Sequence, residues 1–456
     1  MNKQSVRYVA LHILMRIENE GGFSHLLISQ AIEQHNIKEM DEKLLTEMVY
    51  GTLEHKLTLD YYLAPYIEKQ KKLADWVRML LRMSVFQLVY LDKVPAYAVI
   101  NESVEIAKIK GHRGIASLVN GVLRNVKRQG VPSITDIKDD LERIAIETSH
   151  PLWLVKLWND TYGFEETKQM CVTNRKRKTI SVRVNRLKMS TEEIINLLAS
   201  QQIIGTPSSL DKHAIIIKEG NIVQSNVMSE GKVTIQDISS MLAAQFLQVK
   251  DDHIVLDTCS APGGKTTYLA EAMHNTGEIN AYDLHENKLK LINNHAKRLG
   301  LSNIKTNPQD ARQLQERHEL ASFDRILVDA PCTGFGVIRS KPDIIYNKSM
   351  DDIYRLQHTQ LMILEEVAPL LKNDGKLVYS TCTVNPLENE QVIEQFLNNH
   401  PAYEVDKQFL VEINEPLYEQ ARITEFGMQI FPHTFNTDGF FITRIVKNNQ
   451  VSKDVS

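Results

Sequence analysis

Through the first 130 residues the apolar positions recur at three–four spacing, the period of a helix with one buried face. Val6, Val9, Ala10, Ile13, Leu14 and Ile17 make one stripe, and Leu44, Leu45, Met48, Val49 and Leu53 make another. The stretch Trp76 to Leu91 is apolar nearly all round, as expected of a central buried helix. Pro95 opens a helix bearing Val99, Ile100, Ser103, Val104 and Ala107, and Gly111 closes it. A last stripe from Ile115 to Val126 runs out in Lys127, Arg128 and Gly130. Basic residues at that point also suit the negative end of a helix dipole. The spacing predicts an all-helical bundle over 1–130, followed by a linker over 131–148 that starts at Val131-Pro-Ser-Ile.

From 149 to 232 the pattern is mixed: a helix near Leu152 to Trp158, a strand Thr179 to Val184, a helix Thr191 to Leu198, then short strands. A small α+β domain is expected there. After Lys250 strands and helices alternate, with strands at Ile254–Leu256, Ile279–Tyr282, Ile304–Asn307, Arg325–Val328 and Lys376–Tyr379. A long helix is expected from Asp351 to Leu371. Met428–Phe431 and Phe440–Val446 flank Asp438-Gly439 as an antiparallel edge hairpin. The fold class is thus multidomain: an all-α bundle, a small α+β domain, and an α/β doubly wound, Rossmann-like domain over 233–448, with a tail at 449–456.

Composition narrows the setting. At 43% hydrophobic and 24% charged the chain is that of a water-soluble protein. Arg82 interrupts the longest apolar stretch, Met79 to Leu91, so no membrane span is expected. The start, Met1-Asn-Lys-Gln-Ser-Val-Arg, runs into an amphipathic helix without a signal-peptide pattern. Four scattered cysteines, Cys171, Cys259, Cys332 and Cys382, without a CxxC pair or clustered histidines, argue for a reducing cytoplasm and against a metal site. The net charge of −4 is not that of a protein coating nucleic acid by bulk attraction. Yet Asn174 to Lys188 reads NRKRKTISVRVNRLK, with seven basic residues and no acid. Arg175, Lys176, Arg177 and Lys178 are either a solvated face or a surface that tracks phosphates.

The chemistry gathers at the strand ends, where open parallel sheets bind ligands. Strand one ends at Asp257 and is followed by Thr-Cys259-Ser260-Ala261-Pro262-Gly263-Gly264-Lys265, a turn of small residues opening a helix. It lacks GxGxxG. It comes nearer to a Walker A loop, but Cys259 stands where the first glycine belongs and Pro262 removes a backbone donor. With Ile326-Leu-Val-Asp329 as an acidic strand, a P-loop ATPase is a serious alternative. Strands two and three end at Asp283, placed to accept ribose hydroxyls, and Asp310, placed to accept an adenine amine. Two such acids flanking a glycine turn suit a nucleoside without phosphates, and S-adenosylmethionine is one.

Asp329-Ala-Pro-Cys332 then offers a thiol where enzymes that methylate exocyclic amines carry Asn/Asp-Pro-Pro-Tyr. Transfer to cytosine C5 needs a thiolate, which adds to C6 and makes C5 nucleophilic. Asp329 is placed to assist that addition at N3. A second thiol, Cys382, closes the strand Leu377-Val-Tyr-Ser-Thr-Cys382. A cysteine at a strand end is either a buried small hydrophobe or a nucleophile.

The motifs CSAPGGKTT at Cys259, YDLHENKL at Tyr282, QDAR at Gln309, VDAPCTGFGVIRSKPDI at Val328, YSTCTVNPLENE at Tyr379 and PH…DGFF at Pro432 together resemble the bacterial RNA cytosine-C5 methyltransferases. Residues Arg82–Tyr90, Ile100–Lys108 and Val119–Asn125 resemble the antitermination factor NusB, an all-helical RNA-binding fold. Both in one chain is the arrangement of the Sun, or ribosomal small-subunit methyltransferase B, family.

The resemblance implies transfer of a methyl group to C5 of one cytosine in 16S rRNA. Cys382 would be the nucleophile and Cys332 would assist release. Cys259 to Lys265, Asp283, Asp310 and Asp329 would hold S-adenosylmethionine. At Arg339-Ser-Lys341-Pro-Asp the chain departs from the consecutive basic residues or Arg-His expected before that proline. Lys341 keeps the charge, and both basic residues are candidates for RNA contact. A monomer with no metal is expected. Lys265 has three open roles: structural, cofactor contact or proton removal. An RNA-binding assembly factor with an inactive catalytic domain is the third reading beside methyltransferase and ATPase.

Overall fold

A computed structural model describes residues 5–20, 24–68 and 72–448. Met1–Gln4 and the expected tail 449–456 lie outside the described residues. By its internal contacts the chain forms two compact units, Met1–Lys176 with Ile338–Asn347, and Arg177–Val337 with Lys348–Ser456.

The first unit is helical, and the predicted stripes are its core: Val9, Ile13, Leu14, Ile17, Leu45, Met48, Val49 and Leu53 are buried together. The central helix runs Asp75–Tyr90 and is buried over most of its length. Its buried polar residues Arg82, Ser84 and Gln87 are each matched, as buried polar groups must be. Arg82 grips Asp60 through two bonds of 2.8 and 2.7 Å, Ser84 meets Ser103 at 2.8 Å, and Gln87 accepts from Arg7 at 2.7 Å. Pro95 precedes the helix Ala96–Lys110, and Gly130, at φ 81°, ends Arg113–Gln129.

Beyond residue 130, where a linker is expected, further helices pack within the same compact unit. Helices Asp140–Glu147, Leu152–Tyr162 and Phe164–Asn174 follow, burying Ile144, Leu154, Trp158 and Met170. Asp139 caps the first by accepting from Glu142 N–H at 2.7 Å. The stretch 131–148 holds only one short apolar stripe, too weak a periodic signal to read. The excursion Ile338–Asn347 belongs to this unit as well. Its Tyr346 hydroxyl is 2.8 Å from both the carbonyl and the hydroxyl of Ser149, and Lys56 lies over its ring.

The second unit opens with a four-stranded antiparallel sheet of β1 (Ile180–Val184), β2 (Ile204–Pro207), β3 (Ala214–Glu219) and β4 (Val233–Ile235), in the order β2-β3-β1-β4. The helix Thr191–Ser200 packs Ile194 and Leu198 on it and starts with a capping box between Ser190 and Glu193.

The large sheet comprises β5 (Ile254–Asp257), β6 (Glu278–Asp283), β7 (Ile304–Pro308), β8 (Phe323–Asp329), β9 (Leu371–Thr381), β10 (Tyr403–Val405), β11 (Arg422–Thr424), β12 (Gly427–Ile430) and β13 (Phe440–Lys447). Its order is β11-β12-β13-β9-β8-β5-β6-β7, with β10 pairing β13. Strands β5 to β9 are parallel and the rest antiparallel. Apolar layers lie on both faces of this doubly wound sheet. The chain passes outward from β5 to β7, then returns to lay β8 on the other side of β5. This reversal opens a crevice at the C-terminal strand ends.

Two expected details differ. The long helix ends at Val367, a 3-10 turn follows, and β9 begins at Leu371, earlier than its β-type run suggests. Strands β12 and β13 pair as expected, Met428 opposite Ile442, but Asp438-Gly439 is not a two-residue turn. The connection runs from 431 to 439, and Gly439 N–H donates to Gly336 carbonyl at 2.9 Å. A Cβ on Gly336 would lie 1.8 Å from that glycine's oxygen, so the two backbones meet where no side chain fits. Among the described residues, no helix is long and apolar enough to cross a membrane.

Candidate active site

The five acidic and thiol-bearing loops converge because their strands are neighbours in the sheet. Asp257 pairs with Ala281 and Leu327, and Asp329 pairs with Ser380. Beyond Asp257 the chain makes a tight turn. Ser260 gives both its N–H and its hydroxyl to Tyr282 carbonyl at 2.8 Å, and Gly263 sits at φ 100° with Ile292 3.1 Å from where a Cβ would stand. A side chain at Gly263 would be strained and crowded. The helix Gly264–Ala272 starts there.

This helix is fixed from below by Arg183 of β1, which is fully buried. Its guanidinium grips Glu271 at 3.0 and 2.8 Å, Gly264 carbonyl at 2.6 Å and Thr267 hydroxyl at 2.9 Å, and also donates to Gln236.

A cavity of about 270 Å³ opens beside the turn, lined in part by Thr258, Cys259, Asp283, His285, Asp310 and Pro331. Asp283, at the end of β6, accepts from His285 N–H at 3.0 Å and keeps its carboxylate at the cavity. Asp310 caps the following turn and is held by Arg312 at 3.0 and 2.6 Å, so part of its accepting capacity is already used. The buried Asp257 takes the Thr266 hydroxyl on one oxygen at 2.7 Å, while its other oxygen has no protein partner. Burial pushes its carboxyl up to about 7. Burial also pushes the Cys259 thiol up to about 12, so it is unreactive as a nucleophile. Cys171 lies buried in the helical unit, and burial pushes its thiol to about 12 as well.

The two remaining thiols meet. Cys332 Sγ and Cys382 Sγ stand 3.4 Å apart, both partly exposed. Asp329 lies at the end of β8 before Cys332, with one carboxylate oxygen on Lys265 Nζ at 2.7 Å and the other on Ser380 hydroxyl at 3.0 Å. The Lys265 ammonium also sits over the Phe440 ring at 4.9 Å. The shared hydrogen bond with Cys332 holds the Cys382 thiol below its ordinary range, and Lys265 adds to this against the cost of burial. The same hydrogen bond and burial raise Cys332 well above that range, with Glu388 contributing.

Some predicted residues lie elsewhere. Arg175 turns into the helical unit, donating to Glu54 carbonyl and facing the His55 ring. Lys178 bridges Asp237 and Asp438. Lys176 and Arg177 are exposed. Lys341 is exposed and Arg339 half-buried, both on the excursion within the helical unit. The sequence reading left three site residues unassigned: Asp257, Ser380 and Glu388. Asp257 carried a visible signal, an acid ending a buried strand, whereas Glu388 sits inside a quoted motif with nothing local to mark its burial.

A doubly wound sheet with this antiparallel edge, a small-residue turn after its first strand and carboxylates at the next strand ends is the class of S-adenosylmethionine-dependent methyltransferases. The profile described as "16S rRNA methyltransferase RsmB/F" matches residues 244–446, the NusB family matches 4–128, and the ferredoxin-like domain of RsmF/B-like methyltransferases matches 150–224. "Probable ribosomal RNA small subunit methyltransferase B" of Bacillus subtilis (strain 168) is 47% identical over 449 residues, 98% of this chain and 100% of that protein. "Ribosomal RNA small subunit methyltransferase B" of Vibrio vulnificus (strain YJ016) is 32% identical over 97% of this chain and 99% of its own. The crystal structure of PH0851 superposes with a TM-score of 0.82 at 27% identity, covering 98% and 99% of the two chains. The chain belongs to the ribosomal RNA small subunit methyltransferase B family. It is a methyltransferase of small-subunit rRNA that uses S-adenosylmethionine.

Proposed function

We propose that the methyl group goes to C5 of a cytosine in 16S rRNA, through a covalent bond between Cys382 and C6 of the base. The observation that carries this reading is the pair of sulfurs 3.4 Å apart beside the Asp329–Lys265 pair. An amine-directed enzyme has no use for two thiols at this place. Cys382, kept as thiolate by the Cys332 S–H and the Lys265 charge, adds to C6 and forms the S–C6 bond. Asp329, oriented by Lys265 and Ser380, accepts a hydrogen bond from the N4 amine or from N3–H as the ring takes up a proton. S-adenosylmethionine supplies the methyl group to C5. The protons at C5 and N3 then pass to water, the C5–C6 double bond re-forms as the S–C6 bond breaks and Cys382 leaves as thiolate, and Cys332 assists this release.

The residues that would hold the cofactor are the turn Cys259–Lys265, Asp283, Asp310 and Asp329. Asp257 joins them through its unpartnered buried oxygen. For the RNA, Lys176 and Arg177 are the exposed members of the basic run, with Lys341 on the excursion. Arg175 and Lys178 spend their charge on protein groups instead.

The deciding experiment is methyl transfer from labelled S-adenosylmethionine to 16S rRNA from cells lacking the gene, with bisulfite mapping of the product. One new bisulfite-resistant cytosine is expected. Methylation at any atom other than cytosine C5 refutes the reading.

A further inference from the structure

The ladder between β8 and β9 stops at the Asp329–Ser380 pair, and the backbone bond Ala330 N–H to Ser380 carbonyl at 2.9 Å follows it. Past that point no sheet holds the two thiol loops together. Beside the single backbone bond from Gly336 to Cys382, the work falls to side chains, and they centre on Glu388, which is fully buried.

Its carboxylate accepts from Thr333 N–H at 2.8 Å, Thr333 hydroxyl, Asn385 amide at 3.0 Å and Gln360 amide at 3.2 Å. Gln360 also donates to Pro331 carbonyl at 2.8 Å, so both neighbours of Cys332 are tied to the cluster. On the other loop, Thr383 shares a 2.8 Å hydroxyl contact with Thr333 and accepts from Phe335 N–H, and Gly336 N–H donates to Cys382 carbonyl at 3.0 Å. Four donors fill the acceptor capacity of an ionised carboxylate, and no cation is among them. A buried charge sustained only by hydrogen bonds from the two loops and from Gln360 of the helix Met350–Val367 depends on both loops staying in place.

We propose that Glu388 is a positioning residue that seats the Cys332 loop against the Cys382 loop, so that the two sulfurs remain in hydrogen-bond contact. This rests on the thiol roles above but concerns the free enzyme. Burial raises the Glu388 carboxyl, and its charge in turn helps keep the proton on Cys332. The charged and titratable groups facing Cys382 are Cys332, Asp329, Lys265 and Asp438. Only the first depends on Glu388 for its place.

The test is the pH profile of iodoacetamide alkylation at Cys382, read by peptide-resolved mass spectrometry on the full chain without RNA. Glu388→Gln keeps the shape but turns an N–H₂ toward the Thr333, Asn385 and Gln360 donors. Its Cys382 profile is expected to move upward to that of Cys332→Ala, with alkylation at pH 7 slower by roughly tenfold, the change for one unit of thiol pKa. Thr333→Val, which deletes one donor and the contact to Thr383, moves it the same way by less and stands in if Glu388→Gln does not fold. An unchanged profile in a folded variant overturns the proposal, even where methyl transfer is lost. Such a result leaves the cytosine-C5 assignment untouched, because no RNA takes part.

Discussion

Replacing Arg183 by methionine removes the post under the cofactor-turn helix. Arg183 and Glu271 are both fully buried, and the guanidinium also serves Gly264 carbonyl, the Thr267 hydroxyl and Gln236. Deleting one partner of a buried ion pair costs about 3–5 kcal/mol, because the other charge is stranded. Glu271, whose carboxyl burial already raises, relieves part of this by taking a proton. The lower end, about 3 kcal/mol, is thus the expected loss. The double variant Arg183→Met/Glu271→Met strands no charge and is expected to recover most of it. Tryptophan fluorescence is blind here, since Trp76, Trp153 and Trp158 all lie in the helical unit. Peptide-resolved hydrogen exchange of Gly264–Ala272 reads the helix directly. A loss of about 3 kcal/mol speeds exchange by roughly a hundredfold, and S-adenosylmethionine affinity falls with it. Exchange within threefold of the parent, or a double variant no slower than the single, refutes the argument.

Three further outcomes are expected. Cys382→Ala abolishes methyl transfer, whereas Cys332→Ala accumulates a protein–RNA adduct visible as an SDS-resistant band; the opposite pattern reverses the thiol assignment. Asp283→Ala weakens S-adenosylmethionine binding by roughly 10–100-fold, the loss of hydrogen bonds to a charged group, while RNA affinity measured by titration holds. For Asp257, the folded carboxyl at about 7 lies above the unfolded value of about 3.9, so between them the folded state keeps a proton that the unfolded state has lost. Stability of the cofactor-free second unit therefore falls as pH rises from about 4 to about 7, by up to ~1.4 kcal/mol per unit. Asp257→Asn retains an acceptor for Thr266 and flattens this slope in hydrogen-exchange measurements across that window; an unaltered slope overturns the assignment.

The parts of the site that were legible in the sequence are those a strand delivers. Buried parallel strands read as β-branched runs, and their ends put Asp257, Asp283, Asp329 and Cys382 on one edge whatever the loops do. What escaped reading depends on partners far away in the chain. Four consecutive basic residues look alike in sequence, yet Arg175 finds Glu54 and His55, and Lys178 finds Asp237 and Asp438. Asp438-Gly439 has turn chemistry, but its conformation is set by the glycine at 336. Glu388 and Gln360 lie on different elements, and only the tertiary fold brings the Gln360 amide to the Glu388 carboxylate and the Pro331 carbonyl. The weakly periodic helix Asp140–Glu147 is held by tertiary packing and one cap, which its own eight residues do not announce.

The excursion Ile338–Asn347 bears on how the protein is made. The helical unit has its first 176 residues early in synthesis, but its last segment emerges some 170 residues later. At 5–20 residues per second, translation imposes a wait of roughly ten to thirty seconds. Meanwhile the groups of Ser149 that meet Tyr346 have no partner from that segment. Nor can either unit be expressed whole by a single cut. A fragment beginning after Lys176 carries Pro342 and Ile345, buried in the intact chain, as loose apolar residues shortly after the thiol loop. Preparing the catalytic unit alone calls for replacing that segment with a short polar bridge.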